Sequence, residues 1–408
     1  IMINFDLQLF AKQESENPKA FTFVNSNKYI LSYDEPSEVE EGLELDDNWF
    51  SKNFPDGDSI DRLKNAKSVM KDFFNKDRLI KNARYFFCYD YYGAYKGLFN
   101  NKEDIQNIVE HMKLQKGADI RGAFSTVNSL EIFSKYNKKD KFDKEFTLDL
   151  THMNLSDAGN LSELFSGSYF KEIILGDLVA DSENMKGLLN AGVFAGNITG
   201  LEDIDLSNAV DLYGAFDSLG INCAVYGFKK TEPDDFGQTY DIPLFINLYT
   251  GEITEGKSTS SDNNYIDKWL QDFKFNRPPK GGLLTSIGYI FGDCRVNKLD
   301  LSGWDVSNVT DMGCAFRSCG IKELDLTGWD TSKVSNFGLF IQRNVMKMTS
   351  LKGVFDLSSV NNSYECIDFS GFNLADDVKV QIKNPPEWLV NENYRSLGIP
   401  VERIEVVH

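Results

Sequence analysis

One unit is written twice between Leu299 and Ile341: LDLSGWDVSNVTDMGCAF recurs as LDLTGWDTSKVSNFGLFI at an offset of 25 residues. Leu299/Leu324, Leu301/Leu326, Gly303/Gly328, Trp304/Trp329 and Asp305/Asp330 coincide. A single such unit cannot bury its own apolar face and needs a neighbour stacked against it, so the period predicts a solenoid. If each coil adds a short strand to a shared parallel sheet, equivalent residues lie about 4.8 Å apart. The Leu, Trp and Gly positions then become columns, with Gly at a tight corner and Trp in the interior.

The pattern L-D-L-[ST]-G-W-D-x-S-x-V-x-[DN]-[MF] resembles the BspA-type leucine-rich repeat of bacterial surface proteins, in its 25-residue form. The likeness is strong over 299–341 and fades outward. It implies a right-handed solenoid used for display or protein contact, without a catalytic centre.

Weaker copies emerge when the segment 311–316 (DMGCAF) is used as a probe. They fall at 90–95, 119–124, 160–165, 184–189, 211–216 and 286–291, and 336–341 follows the probe. Their starts are spaced 29, 41, 24, 27, 75, 25 and 25 residues apart, so most steps are one coil and two carry insertions. The L-D-L element recurs at Leu148–Leu150, and related triplets stand at Ile204–Leu206 and Ile367–Phe369. The expected fold class is α+β: a leucine-rich-repeat solenoid with short parallel strands, a small α+β N-terminal region and a C-terminal cap. The expected divisions are an arm and capping region over 1–89, degenerate repeats over 90–216, and an insertion over 217–285. Clear repeats follow over 286–377 and the cap over 378–408.

Near the N-terminus, Ile3, Phe5, Leu7 and Leu9 alternate with polar residues, which predicts a strand with one buried face and a candidate subunit-contact arm. The stretch N-F-D-L-Q-L-F-A also resembles the opening of structural proteins of tailed bacteriophages that infect Gram-positive bacteria. That resemblance implies a virion component, made in the host cytoplasm and partnered by other virion proteins in a multi-copy assembly. Further along, 21–33 reads as a hairpin around Asn25-Ser26-Asn27 and 34–47 as an acidic connection. Apolar spacing predicts helices from Asp58 to about Asn75 and from Lys102 to Leu114. Ile242–Tyr249, Thr250-Gly251 and Glu252–Thr254 read as a second hairpin, Tyr265–Phe273 as a helical turn, and the last thirty or so residues as a short helix and a strand.

The net charge of −19 opposes nucleic acid and anionic membrane surfaces, so no direct nucleic-acid binding is expected. No run reaches the ~18 apolar residues of a membrane span, and no basic region followed by an apolar core announces a secretion signal. The six Cys form no C-x-x-C pair, and Cys294 and Cys319, 25 apart, share a column as buried thiols or as a bonded pair. His111, His152 and His408 suggest no grouping of nucleophile, base and orienting acid. Neither phosphate-cradling nor dinucleotide glycine motifs occur. Catalytic, cofactor-binding and metal-ligating residues are therefore not expected. The residues singled out are the repeat-defining Leu299, Leu301, Gly303, Trp304, Asp305, Leu324, Leu326, Gly328, Trp329 and Asp330, together with the arm. The alternatives are a secreted or cell-surface adhesin of the BspA type and, last, a polysaccharide-degrading enzyme with hidden paired carboxylates.

Overall fold

Each L-D-L step ends a strand by turning its Asp side chain back onto the chain. Asp300 Oδ1 accepts the Ser302 N–H at 3.1 Å and its hydroxyl at 2.6 Å; Asp325 does the same to Thr327 at 3.0 and 2.6 Å. Asp149 on Thr151, Asp205 on Ser207 and Asp356 on Ser358 repeat the turn. Short oxygen-bearing side chains compete well for nearby backbone N–H groups, which is why Asp followed by Ser or Thr stops the strand here. Gly303 and Gly328 follow with φ of +83° and +89°, which L side chains rarely adopt.

The structure is a computed structural model that describes residues 21–22, 30–34, 43–44, 79–84, 87, 102–129, 143–180, 185–189, 193–233, 236–256, 267–369 and 373–408. The chain divides into two compact units, 1–178 and 179–408. Both are built of parallel β-solenoid coils with few helices.

In the first unit, Ile30–Asp34 pairs antiparallel with Leu79–Arg84, which pairs parallel with Lys113–Asp119, which in turn pairs parallel with Ala158–Asn160. Thr147–Asp149 lies parallel to Tyr169–Ile174, setting Leu148 beside Ile173. The helix Lys102–Val109 buries Ile105, Ile108 and Val109. It ends five residues before the expected Leu114, because Lys113–Asp119 finds backbone partners on the sheet instead. The described residues of the expected 21–33 hairpin find other partners: Phe21–Thr22 runs parallel to Leu43–Glu44, and Ile30–Asp34 joins the sheet. The expected helix at 58–75, the copy at 90–95 and the arm at 3–10 lie outside the described residues.

In the second unit, Asp272–Lys274, Arg295–Asp300, Gly320–Asp325 and Ser350–Lys352 form one parallel sheet, with Phe273, Leu299, Leu324 and Leu351 in register. Val354–Asp356, Val380–Lys383 and Ile404–Val407 form another. The residues 378–408 expected to cap the solenoid thus add two parallel strands, Val380–Lys383 and Ile404–Val407, to the ladder. A short helix, Glu387–Asn391, lies between these two strands and buries Leu389.

The insertion contains the expected hairpin, Asp241–Asn247 against Ile253–Glu255, with Gly251 at φ +71° in the turn. Cys223–Lys230 adds a third antiparallel strand. The chain then rejoins the stack well before 285. Phe273 occupies the Leu299 column, and Leu206 N–H reaches Arg277 O at 2.9 Å.

The probe segments stack as a second ladder. Within the second unit, Gly214, Phe216 and Ser218 donate to Gly288, Ile290 and Gly292 at 3.0, 2.9 and 2.8 Å. Tyr289, Phe291 and Asp293 donate in turn to Gly313, Ala315 and Arg317, and Cys314, Phe316 and Ser318 to Gly338, Phe340 and Gln342. The 75-residue step from 211 to 286 is therefore a single rung in space. Inside this ladder runs a file of phenylalanines. Phe216 and Phe291 have ring centroids 5.6 Å apart, Phe291 and Phe316 are stacked at 5.5 Å, and Phe316 meets Phe340 edge-on at 5.0 Å. The first unit repeats the pattern, with Phe87 on Phe124 at 4.9 Å and Phe124 on Phe165 at 6.0 Å.

Candidate functional site

The repeat-defining residues face inward or serve the corners. Leu299, Leu301, Leu324 and Leu326 are buried, as are Trp304 and Trp329. Trp329 Nε1–H donates to Leu301 O at 3.0 Å, tying adjacent rungs. Asp305 and Asp330 close turns on Ser307 and Ser332, and Asp305 Oδ2 also receives the Gly282 N–H from the neighbouring rung at 2.7 Å. These eight side chains and the two glycine corners, Gly303 and Gly328, are engaged in building the stack. Ile3, Phe5, Leu7 and Leu9 lie outside the described residues.

The carboxylates of the columns are held ionised by the same contacts. Burial pushes the Asp300 carboxyl up, but the Ser302 hydroxyl, Lys274 and the Ser302 N–H outweigh it and bring the pKa down to about 2. Lys274 Nζ stands 2.9 Å from Asp300 Oδ2, and Lys352 Nζ 3.1 Å from Asp325 Oδ2, so lysines of neighbouring strands bridge the rungs. Asp305 and Asp330 are lowered chiefly by the Ser307 and Ser332 hydroxyls. Among the described residues, no group of three or more His, Cys, Asp or Glu stands so as to hold a metal ion. Cys294 and Cys319 are free and fully buried, and burial drives the Cys294 thiol well above its usual range.

A shallow groove of about 490 Å³ opens where Gly353 separates the two parallel sheets, with Lys352, Lys379, Gln381 and Glu405 among its walls. Several of its polar groups already have partners, since Gln381 donates to Glu405 at 3.0 Å and Lys352 pairs with Asp325.

The outer edge of the second ladder is different. The fourth residue of each probe segment has a left-handed backbone: Gly214 in one rung, then Tyr289, Cys314 and Leu339 with φ of 55°, 60° and 57°. Holding a non-Gly residue there costs roughly 1–2 kcal/mol. Tyr213, Leu339 and Tyr364 on this side are 45%, 39% and 92% exposed, whereas in the rungs between Tyr213 and Leu339 Tyr289 is half-buried and Cys314 buried. Tyr213 lies over Gly288, where an added Cβ would meet its ring carbons at 3.1 and 3.2 Å. Sequence reasoning missed this edge. Its trace is Tyr213, the third residue of DLYGAF, whose N–H is held by Asp211; Tyr364 follows Asn362 in a turn of the same kind.

Residues 283–375 match the model of the family described as Mycoplasma protein of unknown function, DUF285. The DUF285 match spans the two clear copies and the rungs beside them, and stops before the C-terminal strands. With the stacked ladders, it supports a repeat protein. No curated protein and no solved structure matches the chain. Among the described residues, no helix is long and apolar enough to cross a membrane.

Proposed function

We propose that this chain is a non-enzymatic structural and protein-interaction component of a tailed-bacteriophage virion, with the solenoid as a contact scaffold and the N-terminal arm as a subunit tether. The observation that carries the interaction role is the division of labour within the rung. The repeated aspartates are occupied in turns and bridges, whereas the outer edge of the second ladder carries exposed Tyr213, Leu339 and Tyr364. Exposed apolar and aromatic side chains of this kind are what a protein partner buries. The virion setting rests on the likeness of N-F-D-L-Q-L-F-A to phage structural proteins.

A second reading, a secreted or cell-surface adhesin, is favoured by the L-D-L-[ST]-G-W-D unit and its likeness to BspA-type repeats. Mass spectrometry of purified phage particles, set against washed cell-wall fractions of the host, separates the two. Stable stoichiometry in particles is the expected result. Enrichment on the wall would replace the virion role with the adhesin.

A further inference from the structure

The three-stranded insertion ends in an open edge. Cys223–Lys230 pairs with Asp241–Asn247 on one side, and among the described residues no strand pairs with its other side. The backbone of its outer half is turned to that open side. Thr231 N–H donates inward to Tyr240 O at 2.8 Å, and inward and outward positions alternate along an antiparallel pair, so Lys230 and Phe228 point outward. Phe228 stands opposite Pro243, whose nitrogen has no hydrogen to give it, while Pro243 O takes the Gly256 N–H at 2.8 Å on the far side. Lysines ordinarily blunt an edge of this kind. Here Lys229 and Lys230 are drawn back over the hairpin, to Glu255 Oε1 at 2.6 Å and Asp241 Oδ1 at 2.9 Å. Val225 and Phe228, on the face they share with Phe245 and Pro243, are left 47% and 66% exposed.

We infer that this edge seats the N-terminal arm of a second copy of the chain, residues 3–9 adding a fourth strand whose apolar face covers Val225 and Phe228. The inference rests on the reading of the arm as a subunit tether and names where the tether lands. The sequence selects this occupant. A strand added beside one exposed apolar face must alternate apolar and polar residues. Of the stretches outside the described residues, only 3–9 alternates strictly over seven residues, with Ile3, Phe5, Leu7 and Leu9 on one side and Asn4, Asp6 and Gln8 on the other. The stretch that follows the hairpin, 257–266, reads KSTSSDNNYI and carries no such face. Charge agrees. Whole chains at −19 repel one another, but residues 1–12 hold one acid, Asp6, and one base, Lys12, so the arm approaches an acidic copy without that repulsion. The outward N–H and C=O groups of Phe228 and Lys230 then supply the ladder, and the apolar side chains fix its face.

The test follows self-association of the full chain by sedimentation velocity across a concentration series. The expected result is self-association that a synthetic peptide of residues 1–12 competes away, while a peptide of the same composition in scrambled order does not. Phe228→Ser should weaken it about tenfold, the scale of burying a partly exposed aromatic side chain, and Leu7→Asp at least as much. Lys230→Pro, which removes an outward N–H and leaves the inner ladder intact, should weaken it about fivefold, the scale of one hydrogen bond. Tyr364→Ser, at a more exposed aromatic of the second ladder, should leave it unchanged. A chain that stays monomeric, competition by the scrambled peptide, or equal weakening by Tyr364→Ser and Phe228→Ser would overturn the inference. If deleting residues 1–10 removes the protein from particles while Phe228→Ser and Lys230→Pro leave self-association intact, the arm tethers elsewhere and this inference falls alone. Competition by the 1–12 peptide, in a protein missing from particles, keeps the seat and removes the virion setting.

Discussion

Two glycines with nearly equal φ separate two reasons for needing glycine. Gly303 has φ +83° with nothing within 4 Å of the place an added methyl group would occupy, so Gly303→Ala meets only the left-handed penalty, about 1 kcal/mol. Gly220 has φ +78°, but there an added Cβ would stand 2.2 Å from Arg295 O of the adjacent rung. Gly220→Ala must push two rungs apart. It should cost at least about 2 kcal/mol more than Gly303→Ala, on the scale of overpacked cores, measured by urea unfolding of each variant. At the same scale, Asp300 links the fold to pH. Its folded pKa of about 2 lies below the unfolded value of about 3.9, so its contribution is present above the unfolded value and is lost as pH falls toward 2. Asp300→Asn should remove on the order of 1–2 kcal/mol at pH 7. It should also flatten the fall in unfolding midpoint between about pH 5 and 2, which a urea series across that range reads directly.

At the scale of the element, the phenylalanine file is the main apolar seam of the second ladder. Phe316 is fully buried, stacks on Phe291 and meets Phe340 edge-on. Phe316→Ala should cost about 3–5 kcal/mol, the range for emptying a buried aromatic site, and Phe316→Leu markedly less, by the same unfolding measurement. This seam was legible in the sequence because the probe D-x-x-x-A-F pairs a turn-forming residue with an inward ring. Other elements were hidden for physical reasons. In Asp272–Lys274 the rung column carries Phe273 in place of leucine, so the L-D-L signature is absent although the strand pairs with Arg295–Asp300. The helix from Lys102 keeps its apolar spacing through Met112, but spacing alone does not reveal that a sheet edge competes for Lys113–Asp119. The pairing of Phe21–Thr22 with Leu43–Glu44 is non-local, and a turn-rich stretch such as Asn25-Ser26-Asn27 carries no mark of it. The exposed tyrosine edge was hidden because solvent-facing rung positions vary freely, leaving no column to recognise.

For the whole molecule, the division into rungs changes what counts as a neighbour. Residues 211–222 and 286–294 are separated by more than sixty residues of chain, yet Leu212, Gly214, Phe216 and Ser218 donate directly across to Ser286, Gly288, Ile290 and Gly292. The three-stranded insertion leaves the stack and returns to it, with Asn222 Nδ2 donating to Trp269 O where the two ends meet. A chain so arranged keeps its polar repeat residues for its own assembly. Hydrogen exchange followed by mass spectrometry tests that arrangement most directly. Amides of 212–218 and 287–293 should exchange slowly and lose protection together as denaturant is raised, ahead of neither by more than the scatter between adjacent rungs, while Lys229, Lys230 and Asp241 at the outer end of the insertion exchange faster. If 212–218 instead loses protection together with the insertion and apart from 287–293, the two rungs are not stacked and the solenoid of the second unit is contradicted.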